Sequence, residues 1–224
     1  KLCVKFLSFP AAPVATGMRG VLRKLVQDKL VDVIVTASGT LDHDLARVWA
    51  NYYEGDFEMS DELLFDKDIH RLGNVLVPRE SYGKVLEEIL QPFLERLYSD
   101  GVREISSVEL SAKLGELVNS KSSILYWANR NNIPVVVPGL TDGAVGSQIW
   151  LFSQKHRDFK INILKDESLL SDIVFEAKKS GALMIGGGIS KHHTLWWNQF
   201  KDGLDYAIAI TSAVEWDGSL SGAT

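Results

Sequence analysis

Four stretches of this sequence join an apolar run to glycines and to hydroxyl or ionisable side chains, the composition of a turn that lets a ligand touch the backbone. The richest is Met184-Ile185-Gly186-Gly187-Gly188-Ile189-Ser190-Lys191-His192-His193. Glycines allow close approach, and the amides that open a following helix face an anion. The spacing is not G-x-G-x-x-G, and a glycine triplet also occurs as a plain turn, so both readings stand. His192 and His193 are candidates for holding substrate or moving a proton, but adjacent histidines point to different faces and one of the two reads as structural. A second stretch runs Val137-Pro138-Gly139-Leu140-Thr141-Asp142-Gly143-Ala144-Val145-Gly146. Asp142 there either accepts hydrogen bonds from a ribose or forms an Asp-Gly turn or helix cap. The third covers 35–44 (VTASGTLDHD) and the fourth 215–223 (EWDGSLSGA). Four such loops at one end of a parallel sheet would line a single crevice.

Elements able to place them recur along the chain. Apolar runs at 31–35, 74–77, 134–137, 160–164, 182–185 and 206–210 read as strands buried on both faces. Amphipathic stretches at 18–30, 80–97, 108–118, 122–131, 147–154, 167–179 and 192–200 read as helices. This alternation predicts an α/β fold with a mostly parallel sheet and helices on both faces. No repeat, low-complexity tract or Pro/Gly-rich linker divides 1–224, so the expectation is one domain.

The 224 residues are 46% hydrophobic and 24% charged, which excludes disordered and fibrous classes. Lys plus Arg is 24 against 29 for Asp plus Glu, a net charge of −5 that offers no general basic surface to nucleic acid or an anionic membrane. Cys3 stands alone and reads as a buried small hydrophobe; with no Cys/His cluster at zinc spacing, no metal site is expected and a reducing compartment, the cytoplasm, is favoured. No apolar run reaches the ~18 residues of a membrane span, and no signal segment opens the chain. Trp49, Trp127, Trp150, Trp196, Trp197 and Trp216 invite stacking or cation binding, though core or subunit contact is the commoner use. The Lys1 start and the loop-like 221–224 end read as a chain that continues in both directions.

Taken together, PGLTDGAVG at 138–146, GGGISKHH at 186–193 and EWDGSLSGA at 215–223 resemble deoxyhypusine synthase. TGMR at 16–19, VDVIVT at 31–36, RLGN at 71–74, ILYWA at 124–128 and DYA at 205–207 fall in the same order, so the resemblance covers essentially the whole chain. It implies a Rossmann-like domain that binds NAD and assembles as a tetramer, with active sites at dimer interfaces. NAD takes hydride from spermidine, and the aminobutyl group passes through an imine on a lysine to one lysine of the hypusine-bearing translation factor. That lysine lies in an S-W-G-K motif just beyond this chain, so no catalytic residue is assigned here, and Lys191, which matches the K-H-H motif, is a different one. By the same resemblance Gly39, Asp142, Gly187, Ser212, Ala213 and Asp217 contribute to cofactor binding, and Asp42, His43, Ser147, His192, Gly218, Ser219 and Leu220 occupy substrate-site positions.

Several of these depart from the family. Ser147 and Leu220 stand where it has spermidine-binding carboxylates, Asp42-His43 where it has Glu-Glu, and Leu195-Trp196-Trp197 where it has Asn-Ala-Asn. PAAPVA at 10–15 replaces the T-S-N that binds NAD. The departures imply a catalytically impaired regulatory subunit that pairs with and activates a catalytic paralogue. The alternative is an active synthase or related aminobutyltransferase whose lysine lies beyond Thr224; a plain NAD-binding scaffold is a third class.

Overall fold

The strand at the centre of the molecule is one the apolar runs above omit. In a computed structural model, which describes residues 2–223, β1 (Val4–Phe9) is followed by α1 (Ala12–Thr16), α2 (Arg19–Gln27), β2 (Val33–Thr36), α3 (Ser38–Trp49), β3 (Tyr53–Glu54), α4 (Asp61–Phe65), β4 (Ile69–Leu72) and β5 (Val75–Pro78). Then come α5 (Gly83–Ser99), β6 (Glu104–Ile105), α6 (Ser107–Val118), α7 (Ile124–Arg130), β7 (Val135–Val136), α8 (Ala144–Lys155), β8 (Lys160–Ile161), α9 (Leu164–Glu176), β9 (Ser180–Ile185), α10 (Gly188–Asn198) and β10 (Tyr206–Ile210). The main sheet has the order β10-β9-β1-β2-β7, and every pairing in it is parallel.

Side chains alternate across this sheet as the pleat demands. Leu7, Phe9 and Ile34 enter a core shared with Leu22 of α2, Leu41 and Leu45 of α3 and Leu90 of α5. Phe6, Val33 and Val35 enter a second core with Leu170 and Val174 of α9. The α/β class with a mostly parallel sheet between helices is therefore the observed fold. No helix among the described residues is long and apolar enough to cross a membrane.

Three expected strands behave differently. The 74–77 run becomes β5 of a separate antiparallel sheet, β3-β5-β4, because a short connection at Gly73 returns the chain on itself. The 160–164 run gives only the two residues of β8, paired with β6, before α9 begins. The 206–210 run does pair with β9, but as an edge strand whose five residues are all exposed. The 35–44 loop is a helix from Ser38 onward, held by Leu41 and Leu45 facing the core; its buried Asp42 and Asp44 hid that pattern. The helix expected at 192–200 starts four residues earlier, at Gly188, so the glycine triplet leads straight into it. Cys3 is half-buried rather than buried.

Candidate functional site

All five strands of the main sheet point the same way, so the segments that leave β1, β2, β7, β9 and β10 gather at one end. Contacts join them: Pro10 packs against Gly186, Ala11 against Gly39, and Ser38 Oγ donates to the Leu140 carbonyl at 2.7 Å. β1 has β2 on one side and β9 on the other, which makes the space beyond β1 and β9 the switch point where open α/β sheets bind ligands.

One flank of this crevice is locked. Asp42 is fully buried, and its carboxylate accepts from the Tyr82 hydroxyl (2.6 Å) and from the backbone amides of Ala144 and Val145 (2.8 Å each). Those amides open α8, whose cap residue Gly143 has no side chain to serve them. A Cβ at Gly143 would lie 2.7 Å from that carboxylate and 2.6 Å from Ser38 Oγ, so the glycine is what lets a helix start against Asp42. Burial raises the Asp42 pKa, opposed by the Tyr82 hydroxyl and the two amides. His43 turns aside: its Nδ1 lies 2.8 Å from the Tyr52 hydroxyl and its ring packs near Tyr82, and burial together with Arg47 lowers its pKa to about 4. His43 is thus a neutral imidazole at neutral pH. Ser147 lies exposed one turn into α8, its hydroxyl donating to the Gly143 carbonyl, and Asp142 is exposed beside it.

The other flank is open. α10 begins at Gly188, which adopts a left-handed φ of 67° and has nothing within 4 Å of the place a Cβ would take. Its cap Gly187 is covered by Ser221, which occupies the place a Cβ would take, so the chain at Ser221 lies directly on the helix start. Lys191 is buried and donates to the Ala223 carbonyl. Asp217 orders the preceding turn by accepting from the Ser219 amide (2.7 Å) and hydroxyl (3.0 Å) across Gly218. Ser212 and Ala213 sit just past β10, with the Ala213 amide held by Thr211 Oγ1; Leu220 is half-buried. The two histidines do divide: His193 approaches Glu167 at 3.1 Å, whereas His192 is exposed and stacked on Trp196.

The structure thus brings Gly39, Asp42, Asp142, Ser147, Gly187 and the 211–220 residues to one end of the sheet. It sends His43 to an adjoining cavity with Leu64, His70, Arg71 and Tyr82, and His192 to the outer face of α10 beside Leu195 and Trp196. Tyr82 is the site residue that spacing missed. It lies 40 residues from Asp42 in sequence, and only the fold reveals the pair. A glycine helix start and exposed carboxylates on loops at the same end of the sheet are donors and acceptors of the kind that a dinucleotide's phosphates and ribose take. No group of three or more His, Cys, Asp or Glu able to hold a metal occurs among the described residues.

Comparison with known proteins identifies the family. A family model described as deoxyhypusine synthase matches residues 1–224. A Thermoplasma acidophilum protein named "Probable deoxyhypusine synthase" is 61% identical over 218 residues, covering 97% of this chain and 70% of that one. A Sulfurisphaera tokodaii protein of the same name is 49% identical over 221 residues, covering 98% and 70%. A crystal structure assigned to a deoxyhypusine synthase of Entamoeba histolytica matches with a TM-score of 0.67 at 24% identity, over 86% of this chain and 61% of that chain, and so shares the fold. With its full described length matched and relatives near 60% identity, this chain belongs to the deoxyhypusine synthase family.

Proposed function

We propose that this chain is the nucleotide-binding part of a working deoxyhypusine synthase, which transfers an aminobutyl group from spermidine to a lysine of the hypusine-bearing translation factor in the cytoplasm. The observation that carries this reading is Asp42. In the Asp42-His43 departure from Glu-Glu, Asp42 keeps a carboxylate, and that carboxylate is a buried cap for α8 with three of its acceptor positions used within the chain. This role supports reading the divergence from Glu-Glu as a matter of how the crevice is braced rather than of decayed catalysis. The relatives that share 61% and 49% identity with the chain are themselves named as synthases, which supports the same choice.

NAD, when bound, supplies the hydride acceptor for oxidation of the amine. In this reading the start of α10 meets its phosphates at Gly188, where nothing lies within 4 Å of the Cβ position, beside the Ser221 that covers Gly187, and Asp142 and Asp217 offer carboxylates to its hydroxyls. Gly39 forms the floor beside α3, while Ser212 and Ala213 border the site past β10. Ser147 and Leu220 remain positions where the family has carboxylates, and they favour a second reading in which the chain activates a catalytic paralogue in a hetero-oligomer.

The two separate in one assay. The full-length protein carrying this chain, purified alone and given NAD, spermidine and the translation factor, is expected to form deoxyhypusine. Activity that arises only after a second synthase subunit is added would establish the regulatory reading instead.

A further inference from the structure

Arg19, Arg23, Arg47 and Lys121 line a pocket of about 500 Å3 together with Gly17, Gly20 and Ser122. None of these residues belongs to the crevice at the end of the sheet, and no carboxylate is among them. Asp44 is the acid beside the pocket, and it is fully committed. Oδ1 accepts from Arg19 Nε (2.7 Å) and the Ile124 amide (3.0 Å), and Oδ2 accepts from Ser123 Oγ (2.6 Å) and the Leu125 amide (3.0 Å).

Arg19 is thereby neutralised. Arg23 and Arg47 are held in place, but by uncharged acceptors. Arg23 Nη1 donates to the Lys121 carbonyl at 3.2 Å and to Gln27 Oε1 at 3.4 Å. Arg47 Nη1 donates to the carbonyls of Val14 (3.2 Å) and Ala15 (3.4 Å), with its guanidinium over the Tyr52 ring at 5.4 Å. The Lys121 backbone is fixed a second time by Trp127 Nε1 at 3.0 Å, and its side chain is exposed. Gly17 and Gly20 leave the mouth clear, with nothing within 4 Å of where their Cβ atoms would be. Burial and the neighbouring Arg19 both lower the Arg47 pKa, as expected where like charges are held together.

Two guanidinium groups whose described hydrogen bonds go to neutral groups, with the exposed Lys121 side chain at the same open pocket in a protein of net charge −5, are a recognition device in need of an anion. We propose that this pocket binds a phosphate-bearing small molecule, at a site separate from the one that takes the dinucleotide. The preset guanidinium forks suit a phosphate's several oxygens better than a single carboxylate.

Calorimetric titration of the full-length protein tests this, with NAD at saturation so that the crevice is filled and with inorganic phosphate, pyrophosphate and AMP as titrants at matched ionic strength. One saturable site is expected, weakening as salt rises. Comparable binding of pyrophosphate and AMP identifies the phosphate as the recognised group, and tighter binding of AMP adds its nucleoside; both outcomes support the site. Lys121→Glu, at an exposed side chain, is expected to weaken binding at least ten-fold without changing the melting temperature. Arg47→Gln should weaken it as well, and Arg47→Lys less. Absence of saturable binding to all three titrants, binding abolished by NAD, or binding unchanged in both charge-removing variants would overturn the proposal. Because the readout is anion binding with NAD present, its failure leaves the transferase assay unaffected.

Discussion

The two flanks of the crevice are built on opposite principles. On the β2–β7 side, α3 carries two fully buried carboxylates, Asp42 and Asp44, and each is saturated by donors from elements far away in sequence. On the β9–β10 side the edge strand is exposed along its whole length, and residues 211–220 hold themselves mainly by local turns. The first flank is braced by long-range polar contacts whose loss leaves buried charge unpaired. The second presents exposed apolar side chains, including Ile208, Ile210 and Trp216, next to the proposed phosphate end of the site. Rigid placement is thus concentrated where α3 and α8 meet, and the glycine-rich start of α10 faces the less constrained half.

The strongest way to break this contrast is at Asp44. Asp44→Ala would leave the Arg19 guanidinium buried without its partner and strip acceptors from Ser123 and the first amides of α7. A loss of about 3–5 kcal/mol is expected, the range for removing one member of a buried pair. Urea denaturation measures it, and a loss below about 1 kcal/mol would show that the flank is not braced in this way.

Next comes His43, which gives the braced flank a pH dependence. Its folded pKa of about 4 lies below the ordinary 6.5, so the unfolded chain takes up a proton at a higher pH than the folded one. Its contribution is complete above pH 6.5 and is lost as pH falls from 6.5 towards 4, by up to about 3 kcal/mol. Unfolding free energies across that window should slope accordingly, and His43→Gln should flatten the slope. An unchanged slope in the variant would place the titration elsewhere.

Gly187→Ala probes the open flank. The new Cβ would meet Ser221, so residues 219–223 must shift off the start of α10. Because that segment is ordered mainly by local turns and can give, the expected cost is at the low end of the overpacking range, about 1 kcal/mol. NAD affinity should fall far more than stability does. Equal losses in both would mean that this flank is as integral to the fold as the other.

What the sequence made legible follows the same division. Parallel strands, crossover helices and the glycine-bearing corners could be read because apolar periodicity and turn residues act locally. β1 was missed although it is central: Lys5 and Ser8 interrupt VKFLSF, and only pairing with both β2 and β9 explains their place. α3 was read as a loop for a related reason. Buried Asp42 and Asp44 imitate solvated residues until the donors that satisfy them, up to 103 residues away, are brought near. Motif resemblance located the crevice, but it could not distinguish a polyamine ligand from a helix cap, since both uses call for a carboxylate.

The smallest effect is expected at β10, where the run of apolar residues suggested a strand buried on both faces. Ile208 is 62% exposed, and its neighbours Tyr206 and Ile210 are also more than half exposed. Ile208→Thr keeps the β-branched shape that suits a strand and replaces an ethyl arm on a side chain that is mostly in water with a hydroxyl. Its cost to this chain should stay below about 0.5 kcal/mol, the usual scale for surface substitutions. At the matching point of the central strand, Leu7→Ala removes a fully buried side chain, which carries a cost of about 2–5 kcal/mol. Parallel urea titrations of the two variants compare edge with centre directly. If Ile208→Thr costs the full-length protein as much as Leu7→Ala, then β10 is covered there by contacts outside residues 2–223, and the contrast between the flanks belongs to this portion of the protein alone.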